Sequence, residues 1–240
     1  MTDRPQPMAE HLAELRRRLL YALAAAVAGI AVATFFVHRL LKWILAEARA
    51  EAGIIPVQYS FTDAFLTELK LAVIGGLMLA FPLVLYQVVA FVLPALTARE
   101  RQLLFTGLPL TVLLFVGGCG FGWFVVVPFT RRFFLGVATA AGVQPLITPG
   151  AYLSFVLGIC LPLGILFELP LVVVILARIG LLSAVAMARM RKHALLVLLI
   201  LAAVLSPPDV VSMGLFLIPL YGLYELSILV ARVAGPRGEG

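Results

Sequence analysis

From Gln102 to Thr130 the chain runs for 29 residues without a charged side chain, closed at each end by an arginine. About 20 apolar residues in a helix cross the ~30 Å hydrocarbon core of a bilayer, and this run exceeds that length. Leu19 to Val37 and Leu71 to Leu93 are also free of charge, and Ala151 to Ala177 carries one charge, Glu168. Hydrophobic residues make up 63% of the chain and charged residues 12%, where a soluble domain has about 45–50% and 25%. Too little polar surface remains for a soluble enzyme, a disordered chain or a secreted disulfide scaffold. Six spans with their loops fit 240 residues; twelve do not.

The last apolar stretch, Ala194 to Ala231, is interrupted by Ser206-Pro207-Pro208-Asp209. Neither proline can donate a helical hydrogen bond, and each restricts the residue before it. A helical hairpin is expected, its first arm running from Ala194 to Leu205. Twelve residues make ~18 Å of helix, short of the hydrocarbon core. Either the arm spans because the bilayer thins or partner helices shield its end, or the two arms form a re-entrant pair that never crosses. The expected organisation is one integral membrane domain over residues 1–240: an amphipathic stretch at 1–18, then spans at 19–37, 71–93, 103–128, 151–177, 194–205 and 211–230.

Both forms of the hairpin leave the termini on one side. The net charge is +6, and the basic residues sit at the ends of apolar runs rather than on a nucleic-acid-binding patch. Twelve Lys and Arg fall on the side of the termini and six on the other, namely Arg39, Lys42, Arg49, Lys70, Arg131 and Arg132. By the positive-inside bias both termini face the cytoplasm. Thr2 to Arg18 is polar and charged for too long to be the n-region of a signal peptide, so the first run reads as a retained span. Cys119 and Cys160 lie inside apolar runs and read as buried thiols.

Few residues offer chemistry. There is no P-loop and no H-E-x-x-H, and His11, His38 and His193 are far apart. No cofactor, metal or nucleophile–base pair is expected, and the chain does not read as an enzyme. Glu168 lies ~14 Å from the end of its run, where an ionised side chain costs a few kcal/mol and faces protein, water or a partner. Pro162 and Pro170 free the carbonyls of Gly158 and Leu166 beside it. It reads either as a functional acid, for example the proton carrier of a secondary transporter, or as a protonated side chain bonded to backbone. Glu225 reads as structural. Glu14 stands on a stretch where Met8, Leu12, Leu15 and Leu19 share one helical face expected to lie at the interface; it can pair with Arg18 at i,i+4. Glu100, between Arg99 and Arg101, sits in an expected loop. Gly118-x-x-x-Gly122 suits close helix contact, though chance spacing explains it equally well.

Seven motifs occur in order: His11-Leu-x-Glu14-Leu-Arg16; Phe65 with Lys70; Pro82-x-x-x-Tyr86-Gln87-x-x-x-Phe91-x-x-Pro94-x-Leu96; Glu100-Arg101; Tyr152-x-x-Phe155; Phe167-Glu168-x-Pro170; and Pro207-Pro208-Asp209-Val210. Together, from about Met8 to Arg232, the pattern resembles the TatC family, the signal-peptide receptor and core of the twin-arginine protein translocase. The resemblance implies an all-α protein of six transmembrane helices, the last two short, in a concave, glove-like arrangement in the bacterial inner membrane. It implies that Glu14 and Glu100, with Arg16, Phe91, Pro94 and Leu96, receive twin-arginine signal peptides on the cytoplasmic face. Glu168 would meet single-span partners of the TatA and TatB type, with self-association in the complex and energy from the proton-motive force. Pro207, Pro208 and Asp209 would form a periplasmic turn. Two places depart from the family pattern: Leu45-Ala46-Glu47 stands where relatives carry a proline, and Met213 where some carry glutamine.

Overall fold

The computed structural model describes residues 8–52, 61–92, 98–142, 146–178, 182–205 and 209–234, and among them every regular element is helical. Five segments are long and apolar enough to cross a membrane: Leu12–Glu47, Thr62–Phe91, Pro109–Ala140, Pro149–Ala177 and Val210–Arg232. The chain divides after Thr106 into two compact units.

In the first unit, α1 (Met8–Ala52) is one helix of 45 residues, about 67 Å long at 1.5 Å per residue. Two expectations are corrected. The amphipathic stretch from Met8 continues into the span as one helix rather than forming a separate piece. The polar segment after Val37 also remains helical, because no Gly or Pro stands between Ile30 and Ala52 and the segment is rich in Leu and Ala. The next helix, α2 (Phe61–Val92), starts ten residues before the apolar run, with Asp63 in its first turn where an acid complements the helix dipole. These helices pack as an antiparallel pair. Contacts at positions 18, 29 and 38 of α1 fall at 87, 76 and 68 of α2. At the middle contact the backbones nearly touch: a Cβ on Gly29 would strike the Gly76 carbonyl oxygen, and one on Gly76 would strike Ile30. Lipid tails are as apolar as leucine, so helices in a bilayer associate through such small-residue contacts and a few polar bonds.

Helix α3 (Ala98–Phe121) begins where a loop was expected, so Glu100 stands in its first turns. A π-helical turn, Gly122–Val126, follows; the Val127 N–H reaches back to the Gly122 carbonyl. Pro128 has no N–H to give Phe124, and the wider turn accommodates that gap. In the second unit the helical path continues as α4 (Val127–Ala140) through Arg131 and Arg132, past the expected end of the span at residue 128. It stops at Gly142, whose φ of 70° is a left-handed conformation.

Thr148 caps α5 (Pro149–Leu166) by accepting the Ala151 N–H at 3.1 Å, with Pro149 at the first helical position. The fourth apolar run is not one helix. It breaks at Phe167 and Glu168 before α6 (Leu169–Arg178), since Pro170 supplies no N–H to Leu166. Ser183 caps the short α7 (Ala184–Arg189). Helix α8 (Arg191–Leu205) has 15 residues, one turn more than the 12 expected, and α9 (Val210–Ala234) has 25 and is not short. A core of Val173, Ala177, Met187, Ile228 and Ala231 joins α6, α7 and α9.

Candidate functional site

In the first unit, the N-terminal half of α1 meets the C-terminal half of α2 through one arginine. Arg18 donates from Nη2 to Glu14 Oε1 and from Nη1 to Gln87 Oε1, each at 3.2 Å. The i,i+4 pairing expected for Glu14 is present, and Gln87 extends it to a second helix. Glu14 uses one oxygen at a distance longer than the 2.7–2.9 Å of a strong charge-assisted bond. The carboxylate therefore keeps accepting capacity. Arg16 is exposed, but it stands two residues on and so about 200° around the helix from Glu14; Phe91 is half-buried one helical turn beyond Gln87. Glu100 is placed by its backbone in α3, and its side chain lies outside the described residues, as do Pro94 and Leu96.

In the second unit, Glu168 is 3% exposed at the break between α5 and α6. Both carboxylate oxygens are buried, with no hydrogen-bond partner among the described residues. The expected bond from a protonated Glu168 to neighbouring backbone is not present there. Phe167, next in line, stacks at 6.0 Å on Phe121. Around them α3 and α5 approach closely. A Cβ on Gly118 would come within 2.7 Å of the Leu163 carbonyl oxygen, and one on Gly122 within 3.1 Å of the Cys160 backbone. The Gly118-x-x-x-Gly122 spacing is thus a true contact. Cys160 is buried and Cys119 half-buried, both as free thiols.

Asp209 is the N-cap of α9, accepting the Ser212 N–H at 2.7 Å; Pro207 and Pro208 lie outside the described residues. Ser212 also donates to Thr130 at 3.5 Å, and both are fully buried. Arg131, expected among outer loop cations, is instead 5% exposed and donates to the Tyr152 hydroxyl at 3.4 Å. The sequence pattern did not reveal this buried polar layer joining α4, α5 and α9, because an arginine after an apolar run looks like a span end. Glu225 is structural, as expected. Arg191 grips it with two bonds of 2.7 and 3.0 Å, and Tyr221 adds a third at 3.0 Å.

The family profile described as Sec-independent protein translocase protein (TatC) matches residues 10–219. The chain belongs to the TatC family. A TatC of Carboxydothermus hydrogenoformans is 40% identical over 238 residues, covering 99% of this chain and 97% of that protein. One of Listeria innocua is 38% identical, covering 96% and 93%. The crystal structure titled "Twin Arginine Translocase Receptor- TatC" superposes with a TM-score of 0.82 at 31% identity, covering 93% of this chain and 99% of that one. The TatC assignment makes the chain a membrane component of a protein translocase and not an enzyme. The expected alternative, a proton-coupled secondary transporter, has no support in it.

Proposed function

We propose that the Glu14 end of the α1–α2 pair is part of the cytoplasmic site that captures twin-arginine signal peptides of folded cargo. The observation that carries this reading is the single 3.2 Å bond from Arg18 to Glu14, which leaves Glu14 able to accept a second guanidinium. Arginine presents a planar fork that a carboxylate accepts with two bonds, where lysine offers a point charge. Two acids, Glu14 and Glu100, would therefore favour Arg-Arg over Lys-Lys. Arg16, Phe91, Pro94 and Leu96 shape the surroundings of the bound leader.

In this reading the chain is one integral membrane domain with six spans, the five long segments plus α8, in the concave arrangement of the family. The termini lie in the cytoplasm, supported by the excess of Lys and Arg on their side. Glu168 meets single-span TatA- and TatB-type partners. That assignment is supported by a buried acid whose oxygens have no partner among the described residues, a cost a partner's polar group would offset. Pro207, Pro208 and Asp209 turn the chain on the periplasmic side, copies of the chain self-associate in the complex, and the proton-motive force drives transport.

The test is site-specific crosslinking from Phe91 to a synthetic twin-arginine leader in nanodiscs. Replacing Glu14→Gln and Glu100→Gln together is expected to cut crosslinking by about tenfold or more, the worth of one charge-assisted bond. Undiminished crosslinking by a folded double variant overturns the receptor site.

A further inference from the structure

Beyond Val37, α1 carries cations on the side turned away from α2. Ala33, Val37 and Ile44 are the buried residues of this stretch, and α1 packs on α2. At 100° per residue, Phe35, Arg39 and Lys42 fall on the opposite side, and all three are exposed, Phe35 at 87%. Phe36 and Trp43 flank them, also exposed. Neither Arg39 nor Lys42 forms an ion pair or hydrogen bond among the described residues. Two acids of α2 stand at this end of the pair: Glu68, bound by His38 at 2.7 Å, and Asp63, which is half-buried and makes no ion pair with either cation among the described residues. Glu47, the one acid between Phe35 and Arg49, is half-buried and lies on the α2 side.

Depth decides what such a face meets. Arg39 and Lys42 stand two and five residues past the end of the apolar run, ~3 and ~8 Å along the helix. Headgroups occupy roughly the 5–8 Å outside each edge of the hydrocarbon core. The two like charges thus sit at headgroup level with no ion-pair partner among the described residues, while Phe35 and Phe36 lie at the level of the acyl chains. Trp43 has the amphipathic ring that favours the interface. Arg49, ~18 Å past the run, is beyond the headgroups. We propose that this face of α1 is a binding site for an anionic phospholipid. Its phosphate is held between Arg39 and Lys42, and an acyl chain lies on Phe35 and Phe36.

The chain has two tryptophans, so Trp123→Phe leaves Trp43 as a reporter within the site. The full chain is placed in phosphatidylcholine vesicles containing brominated phosphatidylglycerol or, at the same mole fraction, brominated phosphatidylcholine. Trp43 should be quenched at least about twofold more by the anionic lipid, because each cation near the membrane surface adds attraction to anionic lipid. Arg39→Gln with Lys42→Gln should equalise the two lipids. Exchanging the cations, Arg39→Lys with Lys42→Arg, should keep the preference, as should Arg49→Gln. Millimolar inorganic phosphate should leave the ratio unchanged. Equal quenching without the glutamine substitutions overturns the site, as does loss of preference on Arg49→Gln or displacement by free phosphate. Native mass spectrometry of the unsubstituted chain, expected to retain phosphatidylglycerol over phosphatidylcholine, answers the same question if Trp123→Phe fails to fold; no such retention also overturns it.

Discussion

Glu168 is costly where it stands. Neither oxygen is bonded among the described residues, and an unsatisfied buried polar group costs about 1–3 kcal/mol. Glu168→Leu should therefore raise the thermal midpoint of the isolated chain in detergent while reducing cargo export in cells. A lower midpoint would mean that the carboxylate is held by a bond within the chain. The glycines of α3 offer a paired comparison. Gly118→Ala places a methyl 2.7 Å from a backbone oxygen and should destabilise by about 1–3 kcal/mol, as overpacking does. Gly117, one residue away, has open space around it. Gly117→Ala should be neutral or slightly stabilising, since alanine is the better helix former by about 1 kcal/mol. Both are read by thermal unfolding followed by circular dichroism. The acids were legible from the sequence as exceptions in an apolar chain. Thr130 and Ser212 were not, and Gln87 stood in a motif without its bond to Arg18, because uncharged polar residues acquire meaning only from the partner across the helix gap.

At the scale of elements, composition located the apolar centre of each span but not its ends. Arg39, Lys42, Arg131 and Arg132 are as compatible with a continuing helix as with a loop, and helix ends were set by residues that cap or break. Gly142, Thr148, Pro170, Ser183 and Asp209 mark five of them. The break at Phe167 and Glu168 was legible in Pro170, although the apolar run spans it. The bidentate pair of Arg191 with Glu225 fastens the start of α8 to α9. Arg191→Glu should lower the thermal midpoint by setting two carboxylates against each other, and adding Glu225→Arg should recover part of the loss. No recovery in the doubly substituted chain would show that the contact is not an electrostatic clamp.

For the whole molecule, the length of α8 bears on the surrounding lipid. Fifteen residues make about 22 Å of helix against a ~30 Å hydrocarbon core. If α8 crosses, the bilayer beside it should be thinner than beside α1. Depth-dependent quenching of spin labels on the two helices measures this, and equal thickness at both would favour the re-entrant form. The amino-acid sequence by itself determined that this is a helical membrane protein and which acids stand apart, because burial of charge in lipid is so costly that composition alone excludes the alternatives. Seven short motifs in order were enough to indicate its family. Only the tertiary structure decided that Arg18 bridges Glu14 to Gln87, that Arg131 is buried against Tyr152, and that Gly29 meets Gly76. Those contacts join residues 20 to 70 positions apart, and no local periodicity encodes which helix faces will touch once lipid no longer distinguishes them.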